Sequence, residues 1–460
     1  MLHGKNVPIF ISETVAFLLF TFFILGGTPS IKKGFPSVFL ISVIISLLLS
    51  TFIILRMNDY HLNGDANIEI DGKIVSVKDW KWRWASIVST DRGKFVIYTH
   101  KRDSFTPLGF SVKINGSLKE LKRINRRDRT NNKFDEYVYW RSKGVKGEIV
   151  VNVLKRLSPP SLFYRVRSNL ERMIKEELPP NMSLYVQALI LGNRDKKIAS
   201  VNKRTGTIHL LAVSGFHVAI LVALLSLILK KGKRRIIIVS SLMWLYIALS
   251  GFSPGGVRAA FMMQIYLLGA FLGEPNNAFN GISIASIIML LHNPWIFFDI
   301  GWQLSVSSAL FICAISHVSK KLFAKTIILT VLVWFMSISL VLYNFGESYL
   351  TGIFMNIFAI PIFSILFPIM LLSTPLIILK IPLISTFLST PIENSLDLWE
   401  WISEVVIVIF PYKLQLTVPL LTLSIFLFFI ACSFGSGIKI KRAFIISSLF
   451  TILMLCFICV

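Results

Sequence analysis

Residues Gly206–Leu229 read GTIHLLAVSGFHVAILVALLSLIL, a stretch long and apolar enough to cross a bilayer as one helix, for which about 20 residues suffice. Its first half nevertheless carries His209, Ser214, Gly215 and His217 among Leu, Ala and Val. A polar group in hydrocarbon costs kilocalories unless it faces a partner or a wet cavity, so these residues are candidates for function. His209, Val213 and His217 recur every fourth residue, on one face of a continuous helix. The Ser-Gly pair between the histidines either admits a neighbouring backbone or breaks the helix, as in helices that line pores and substrate sites.

The stretch does not stand alone. Over 460 residues the chain is 54% hydrophobic with a mean hydropathy of +0.69, which excludes an ordinary soluble enzyme and predicts a polytopic α-helical membrane protein of about 10–12 spanning helices. A net charge of +24 has two sources open to it, cytoplasmic loops that collect Lys and Arg, and a polyanionic partner. The four cysteines, Cys313, Cys432, Cys456 and Cys459, lie in apolar runs with neither disulfide nor metal spacing. The N-terminus has no signal-peptidase pattern, so its first apolar run is expected to stay as an anchor.

The chain divides by composition. Residues 1–55 form an expected helical hairpin, Pro8–Leu25 and Pro36–Leu55, with Lys32 and Lys33 favouring the cytoplasm and everything after Arg56 outside. Residues 56–160 are charged, with 22 Lys/Arg against 12 Asp/Glu, a net of +10. Alternating runs at Asn67–Val77, Lys81–Ser89, Lys94–Thr99, Phe110–Ile114, Tyr137–Arg141 and Val145–Val153 predict a small antiparallel β domain. Asp71-Gly72, Asp91-Arg92-Gly93 and Asn115-Gly116 are its expected turns. Residues 161–181 predict an amphipathic interfacial helix, with Leu162, Val166, Leu170 and Met173/Ile174 as its apolar stripe and Pro179-Pro180 as its end. Residues 182–435 hold most of the spanning segments, and residues 436–460 one more. Lys230–Arg235 carries five positive charges directly after the central stretch and marks the cytoplasmic side. Pro361, Pro368 and Pro375 predict kinks in Tyr349–Leu379, or its division into two helices.

Within the β domain, Trp80-Lys81-Trp82-Arg83-Trp84 would place three rings on one face of a strand and two cations on the other. Exposed, the rings stack on bases at about 1–3 kcal/mol each; turned inward, they fill a core, which is the favoured reading for at least two of them. Lys122, Arg123, Arg126, Arg127 and Arg129 form a basic segment fit for phosphates or simply for solvent. In the membrane part, Arg258 follows a Gly-Phe-Ser-Pro-Gly-Gly break, where it either faces a cavity or snorkels to the interface. Asp299 and Gln303 lie one turn apart in Ile296–Ile315, and Arg258 is the expected partner of Asp299, as a register-fixing salt bridge or as part of a pore.

The motif HLLAVSGFHV at 209–218 resembles the signature of the ComEC competence proteins, regarded as inner-membrane channels for DNA in natural transformation. LILGNR at 189–194, SPGGVRAA at 253–260, NPWIFFDIGWQLS at 293–305 and the segment 346–361 with Asn356 and Pro361 resemble further family elements, in the family's order. The resemblance implies an OB-fold-like five-stranded barrel, outside the cytoplasm, at residues 56–160. It implies a channel for single-stranded DNA, with His209, Ser214, Gly215, His217, Arg258, Asp299, Gln303 and Asn356 as candidates along the path. Single-stranded DNA and the bilayer are then the expected partners, with a DNA receptor, a separate nuclease and a cytoplasmic ATPase or helicase beside them.

No cofactor, metal site or catalytic set is expected. Some ComEC proteins carry a metallo-β-lactamase-like domain, but the histidines at 3, 61, 100, 209, 217, 292 and 317 form no His-x-His-x-Asp-His or His-Glu-x-x-His pattern. The form expected here therefore lacks the nuclease-like part. No Walker A loop occurs, which leaves transport energy to a partner or to the membrane potential. Two competitors remain, a small-molecule transporter and an intramembrane serine hydrolase built on Ser214 and His217. The hydrolase needs hydroxyl and imidazole within about 3 Å and an oxyanion hole.

Overall fold

The computed structural model describes residues 68–80, 83–100, 108–121, 135–273, 278–315, 322–380, 384–415, 422–427 and 447–448. The N-terminal hairpin, the basic segment Lys122–Arg129 and the helix expected at 436–460 lie outside them, Ser447 and Ser448 excepted. Two compact units result, one of Ile53–Met173 with Met289–Asp299, the other of Met1–Phe52, Ile174–Ile288 and Ile300–Val460.

The first is a sheet unit. Its strands are β1 (Ile68–Trp80), β2 (Arg83–Thr90), β3 (Gly93–His100), β4 (Ser111–Lys119) and β5 (Val145–Ser158), with a short helix α1 (Glu136–Ser142) before β5. The order is β1-β2-β3-β5-β4, and β4 pairs again with β1, so the ladder closes. Four pairings are antiparallel and β3–β5 is parallel, which corrects the all-antiparallel expectation. Parallel neighbours need a long connection, and here it runs through β4 and α1.

Alternation along β4 turns Val112, Ile114 and Leu118 inward, where they meet Ile70, Ile74, Val88, Phe95, Ile97 and Ile149. A second core forms on the other side of β2 and β3. Ala85, Ile87, Val96 and Val145 pack there with Tyr137 and Trp140 of α1.

Three sequence expectations fail in this unit for identifiable reasons. Tyr137–Arg141 is helix and not strand, because Asp135 caps it by accepting from the Val138 N–H at 3.2 Å, and the helical turn brings Tyr137 and Trp140 to one buried face. Asp71-Gly72 and Asn115-Gly116 are not turns but strand interior. A Cβ on Gly116 would lie 2.1 Å from the Val150 carbonyl oxygen, and the β4–β5 register shifts at that point, as glycine in a strand often signals. Trp80-Lys81-Trp82-Arg83-Trp84 is not one strand, since Trp80 ends β1 and pairs with Arg83, which begins β2. Asp91-Arg92 does turn the chain between β2 and β3.

Helix α2 (Leu162–Glu177) has the predicted amphipathic form, with Leu162, Val166 and Met173 exposed and Ile174 buried. The helical unit continues with α3 (Pro180–Ile190), α4 (Lys196–Arg204), a 3-10 turn at Ile208–Leu211, α5 (Gly215–Ile228), α6 (Lys233–Leu249), α7 (Pro254–Leu272) and α8 (Ala278–His292). After the 3-10 turn Pro294–Phe298 come α9 (Ile300–Ile315), α10 (Leu322–Phe345), α11 (Thr351–Ile378) and α12 (Ile384–Ile409). Helix α5 packs on α6, α7 and α11, while α11 packs on α3, α10 and α12.

Among the described residues, three helices are long and apolar enough to cross a membrane, at Pro254–Leu272, Thr326–Phe345 and Thr351–Ile378. Helix α11 is apolar on more than one face. One face, Met355, Ala359, Phe363, Phe367 and Met370, is buried in protein, yet Phe354, Phe358, Ile365, Ile369 and Leu372 stand exposed on another. A helix apolar all round belongs either in a protein core or in a membrane. Its three prolines do not divide it. Hydroxyls bond carbonyls one turn back within it, Ser364 to Ile360 at 2.7 Å and Thr374 to Met370 at 2.6 Å.

Candidate functional site

The central stretch is not one helix. Ile208–Leu211 forms a single 3-10 turn, Ala212 to Ser214 are extended, and α5 starts at Gly215. His209 and His217 therefore do not share a helical face, which corrects the periodic reading. A helix requires a cap where it starts, and Ser214 supplies it in a form the sequence had not signalled. Ser214 and His217 make a reciprocal capping pair in which histidine takes the place usually held by Glu or Gln. The Ser214 N–H donates to His217 Nδ1 at 3.3 Å, and Ser214 Oγ lies 3.1 Å from the same nitrogen. Nδ1 thus accepts, and the ring proton falls on Nε2, which is buried without a partner. The imidazole itself is fully buried, edge-on to Phe367 with centroids 4.7 Å apart.

The break is fixed by close glycine contacts. Gly206, with φ of +72°, sits so near Gly352 at the start of α11 that an added Cβ would lie 2.6 Å from the Gly352 Cα. Such a φ favours glycine, and the contact forbids a side chain as well. A Cβ on Gly255 would meet the Val213 carbonyl oxygen at 2.9 Å. Asn356 is buried beside this contact, with Nδ2 donating to the carbonyls of Gly352 at 2.6 Å and Gly206 at 3.4 Å. A polar ladder completes the turn: Thr207 Oγ1 donates to Asn202 Oδ1 at 2.7 Å, and Thr351 Oγ1 donates to the Arg204 carbonyl at 3.0 Å.

Gly215 differs from these glycines. It is exposed, and a Cβ there would meet only Ala259 at an ordinary 3.8 Å. The close backbone approach expected at Ser214-Gly215 occurs instead at Gly206 and Gly255. His209 is likewise exposed, and Ser214 is half-buried. The interruption therefore leaves His209 and Gly215 exposed and Ser214 half-buried while it buries His217 and Asn356.

The remaining candidates separate. Arg258 is buried near the start of α7, its Nε 3.3 Å from Ser305 Oγ of α9. Gln303 is half-buried in α9. Asp299 is not in that helix at all. It follows the 3-10 turn, belongs to the sheet unit and is ion-paired with Lys143 at 2.5 Å, a partner that sequence spacing could not indicate.

In the sheet unit, Trp80 packs on Tyr139 and Trp140 with centroids 5.4 and 5.1 Å away, which places it in the outer core. Trp84 and Arg83 are half-buried on β2, with the Arg83 guanidinium 5.6 Å from the Tyr98 ring centroid. Lys81 and Trp82 lie outside the described residues. Trp140 Nε1 donates to Tyr98 Oη at 2.8 Å, and the Tyr98 hydroxyl donates to Glu136. Burial, then Glu136, push the Tyr98 phenol well above its ordinary range, which keeps it a donor. Among the described residues no three His, Cys, Asp or Glu side chains come together to hold a metal.

The fold and site define a helical protein with an interrupted apolar helix and an appended β unit. Residues 189–456 match the model of the competence protein family, and the chain belongs to that family. It is 27% identical over 270 residues to ComE operon protein 3 of Bacillus subtilis, covering 56% of this chain and 34% of that protein. The chain thus spans about a third of the length of the curated relative it matches. No solved structure matches it.

Proposed function

We propose that this chain is a polytopic protein of the cytoplasmic membrane that conducts single-stranded DNA inward during natural transformation. The observation that carries the reading is the interruption at Ala212 to Ser214, which leaves His209 and Gly215 exposed and Ser214 half-buried within a largely apolar unit. Broken helices are how membrane proteins bring polar backbone to a path through hydrocarbon. Family membership supports a role in competence. The closed sheet is read as an OB-like module outside the cytoplasm, and its basic character suits a phosphate backbone.

A topology follows from the charges. Lys230–Arg235 is assigned to the cytoplasm and the sheet unit to the opposite side. Gly232→Cys and Arg92→Cys report the two sides, since a Cβ on Gly232 meets nothing within 4 Å and Arg92 is exposed at a turn. An impermeant thiol reagent applied outside is expected to label position 92 and not 232. Labelling of both from outside would reverse the assignment.

A second reading has one observation in its favour. Ser214 Oγ and His217 Nδ1 lie 3.1 Å apart, within reach of a nucleophile and its base. The pair also has a plain structural use as a helix cap, and transformation assays on three variants separate the two. A hydrolase loses nearly all activity with Ser214→Ala. The proposed channel keeps most of it, because the change removes one oxygen and costs about 1 kcal/mol of capping. Ser214→Leu and Gly215→Leu are expected to abolish DNA entry at normal membrane abundance by placing a bulky side chain at the start of α5. Abolition by Ser214→Ala, with Ser214→Leu no worse, would sink the channel.

A further inference from the structure

Helices α6 and α7 belong to one compact unit and pack on each other, and a cavity of about 510 Å³ opens between the start of α6 and the end of α7. Lys233, Arg235 and Ile236 line it from α6, and Phe271 and Leu272 line it from α7. The Lys233 ammonium lies 5.1 Å from the centre of the Phe271 ring, which holds a cation against an apolar wall. Arg235 Nη1 donates to the Ser226 carbonyl at 3.2 Å, so one of the five guanidinium N–H donors steadies the planar fork. Lys230, Lys231 and Arg234 are exposed in the same stretch. The chain holds no Asp or Glu from Lys196 to Gly273, and among the described residues no carboxylate pairs with these five cations. Glu274, the next acidic residue, lies outside the described residues.

The apolar part of the cavity continues outward. Leu272 is 66% exposed, and Ile237 and Leu268 are exposed on the same two helices. Helix α7 is one of the three that are long and apolar enough to cross a membrane. On the membrane reading its end falls where hydrocarbon gives way to water, and the five cations gather at that level. Cations beside exposed aliphatic side chains suit a ligand divided in the same way, a phosphate of net negative charge joined to acyl chains. A free phosphate would leave the aliphatic rim unused. A single strand of DNA would want a ring to stack on, and Lys233 already lies over the Phe271 ring.

We propose that this cavity binds the headgroup of an anionic phospholipid of the cytoplasmic leaflet, with Lys233 and Arg235 on the phosphate and the acyl chains along Ile236 and Leu272. The proposal rests on the membrane topology inferred above and not on DNA conduction. Lys and Arg clustered directly beside a spanning helix attract anionic lipid, and a steadied guanidinium adds a geometric preference for phosphate oxygens.

The test uses the full-length protein in liposomes that carry a trace of photoactivatable phosphatidylglycerol, or the same label on phosphatidylcholine, with labelled peptides identified by mass spectrometry. On the native protein, phosphatidylglycerol is expected to label residues 233–240 and 266–273 about fivefold or more above phosphatidylcholine. Unlabelled phosphatidylglycerol is expected to compete, whereas inorganic phosphate and a single-stranded oligonucleotide are not. Lys233→Gln with Arg235→Gln is expected to cut the phosphatidylglycerol labelling by about tenfold, and Lys233→Arg, which keeps the charge, to hold it within about twofold. The comparison of the two lipids on the native protein needs no variant to fold. Equal labelling by both lipids, unchanged labelling in the double variant, or competition by phosphate or oligonucleotide in place of the lipid overturns the site. Thiol labelling of position 232 from outside would overturn the topology, while a preference for phosphatidylglycerol would still report the cavity.

Discussion

Substitution of Gly206 by valine is expected to remove most of the folded protein from the membrane. Two independent penalties act at this position. The left-handed φ of +72° costs an L-residue about 1–2 kcal/mol, and more for a β-branched one. The new Cβ would also sit 2.6 Å from the Gly352 Cα, so the turn and the start of α11 must part, an overpacking cost of roughly 1–3 kcal/mol. Parting them strains the bonds from Asn356 to the Gly206 carbonyl and from Thr351 to the Arg204 carbonyl. The sum approaches the smaller end of a domain's total stability. Gly352→Ala is expected to do less, since no left-handed φ is involved and its Cβ would meet the Trp334 Nε1 at 3.0 Å and the Gly206 Cα only at 3.5 Å. Gly215→Ala is expected to change nothing. Membrane abundance and melting in detergent check the ranking, and equal behaviour of all three would show that the Gly206–Gly352 contact does not hold the break.

Replacement of Trp140 by alanine is expected to unfold the sheet unit while leaving the helical unit in the membrane. Trp140 is fully buried and joins Trp80, Tyr98 and Tyr139, and its indole N–H is shared between Tyr98 at 2.8 Å and Glu136 at 3.2 Å. Truncating a buried tryptophan costs about 3–5 kcal/mol in lost transfer energy and cavity. Here it also strands the Tyr98–Glu136 pair beside the hole. Trp84→Ala, at a half-buried position, is expected to cost far less. Limited proteolysis of the full-length protein in membranes reads the difference as cleavage within residues 68–158. Full protection of Trp140→Ala together with lost DNA binding would instead make the cluster a stacking surface.

Much of the organisation was legible before any coordinates. Apolar runs mark helices because hydrocarbon length and backbone satisfaction leave few alternatives, and α11 begins and ends within two residues of the run Tyr349–Leu379 that predicted it. Alternation located β1 to β5 for the same reason, since a strand with one buried face must repeat every second residue. The Ser-Gly pair within Gly206–Leu229 carried two readings, a close backbone approach or a break in the helix, and the structure has the break.

What the sequence could not reveal was which groups meet. Periodicity put His209 and His217 on one face, but a cap formed by Ser214 and His217 starts a new helix between them and sends one ring outward and the other into the core. Glycine identity was visible throughout, yet only packing distinguishes Gly206, pressed on Gly352, from Gly215, where a Cβ would make only an ordinary contact with Ala259. The pattern Tyr137–Arg141 fitted a strand until the Asp135 cap and the burial of Trp140 made it a helix. Asp299 looked like part of an apolar helix because its neighbours are apolar. Its true setting, against Lys143 more than a hundred residues earlier, is a long-range pairing. Local sequence determines where the chain prefers helix, strand or membrane, because those preferences are short-range energies. Which buried polar group finds which partner is decided only when distant segments pack, since that choice depends on who is nearby after the water has gone.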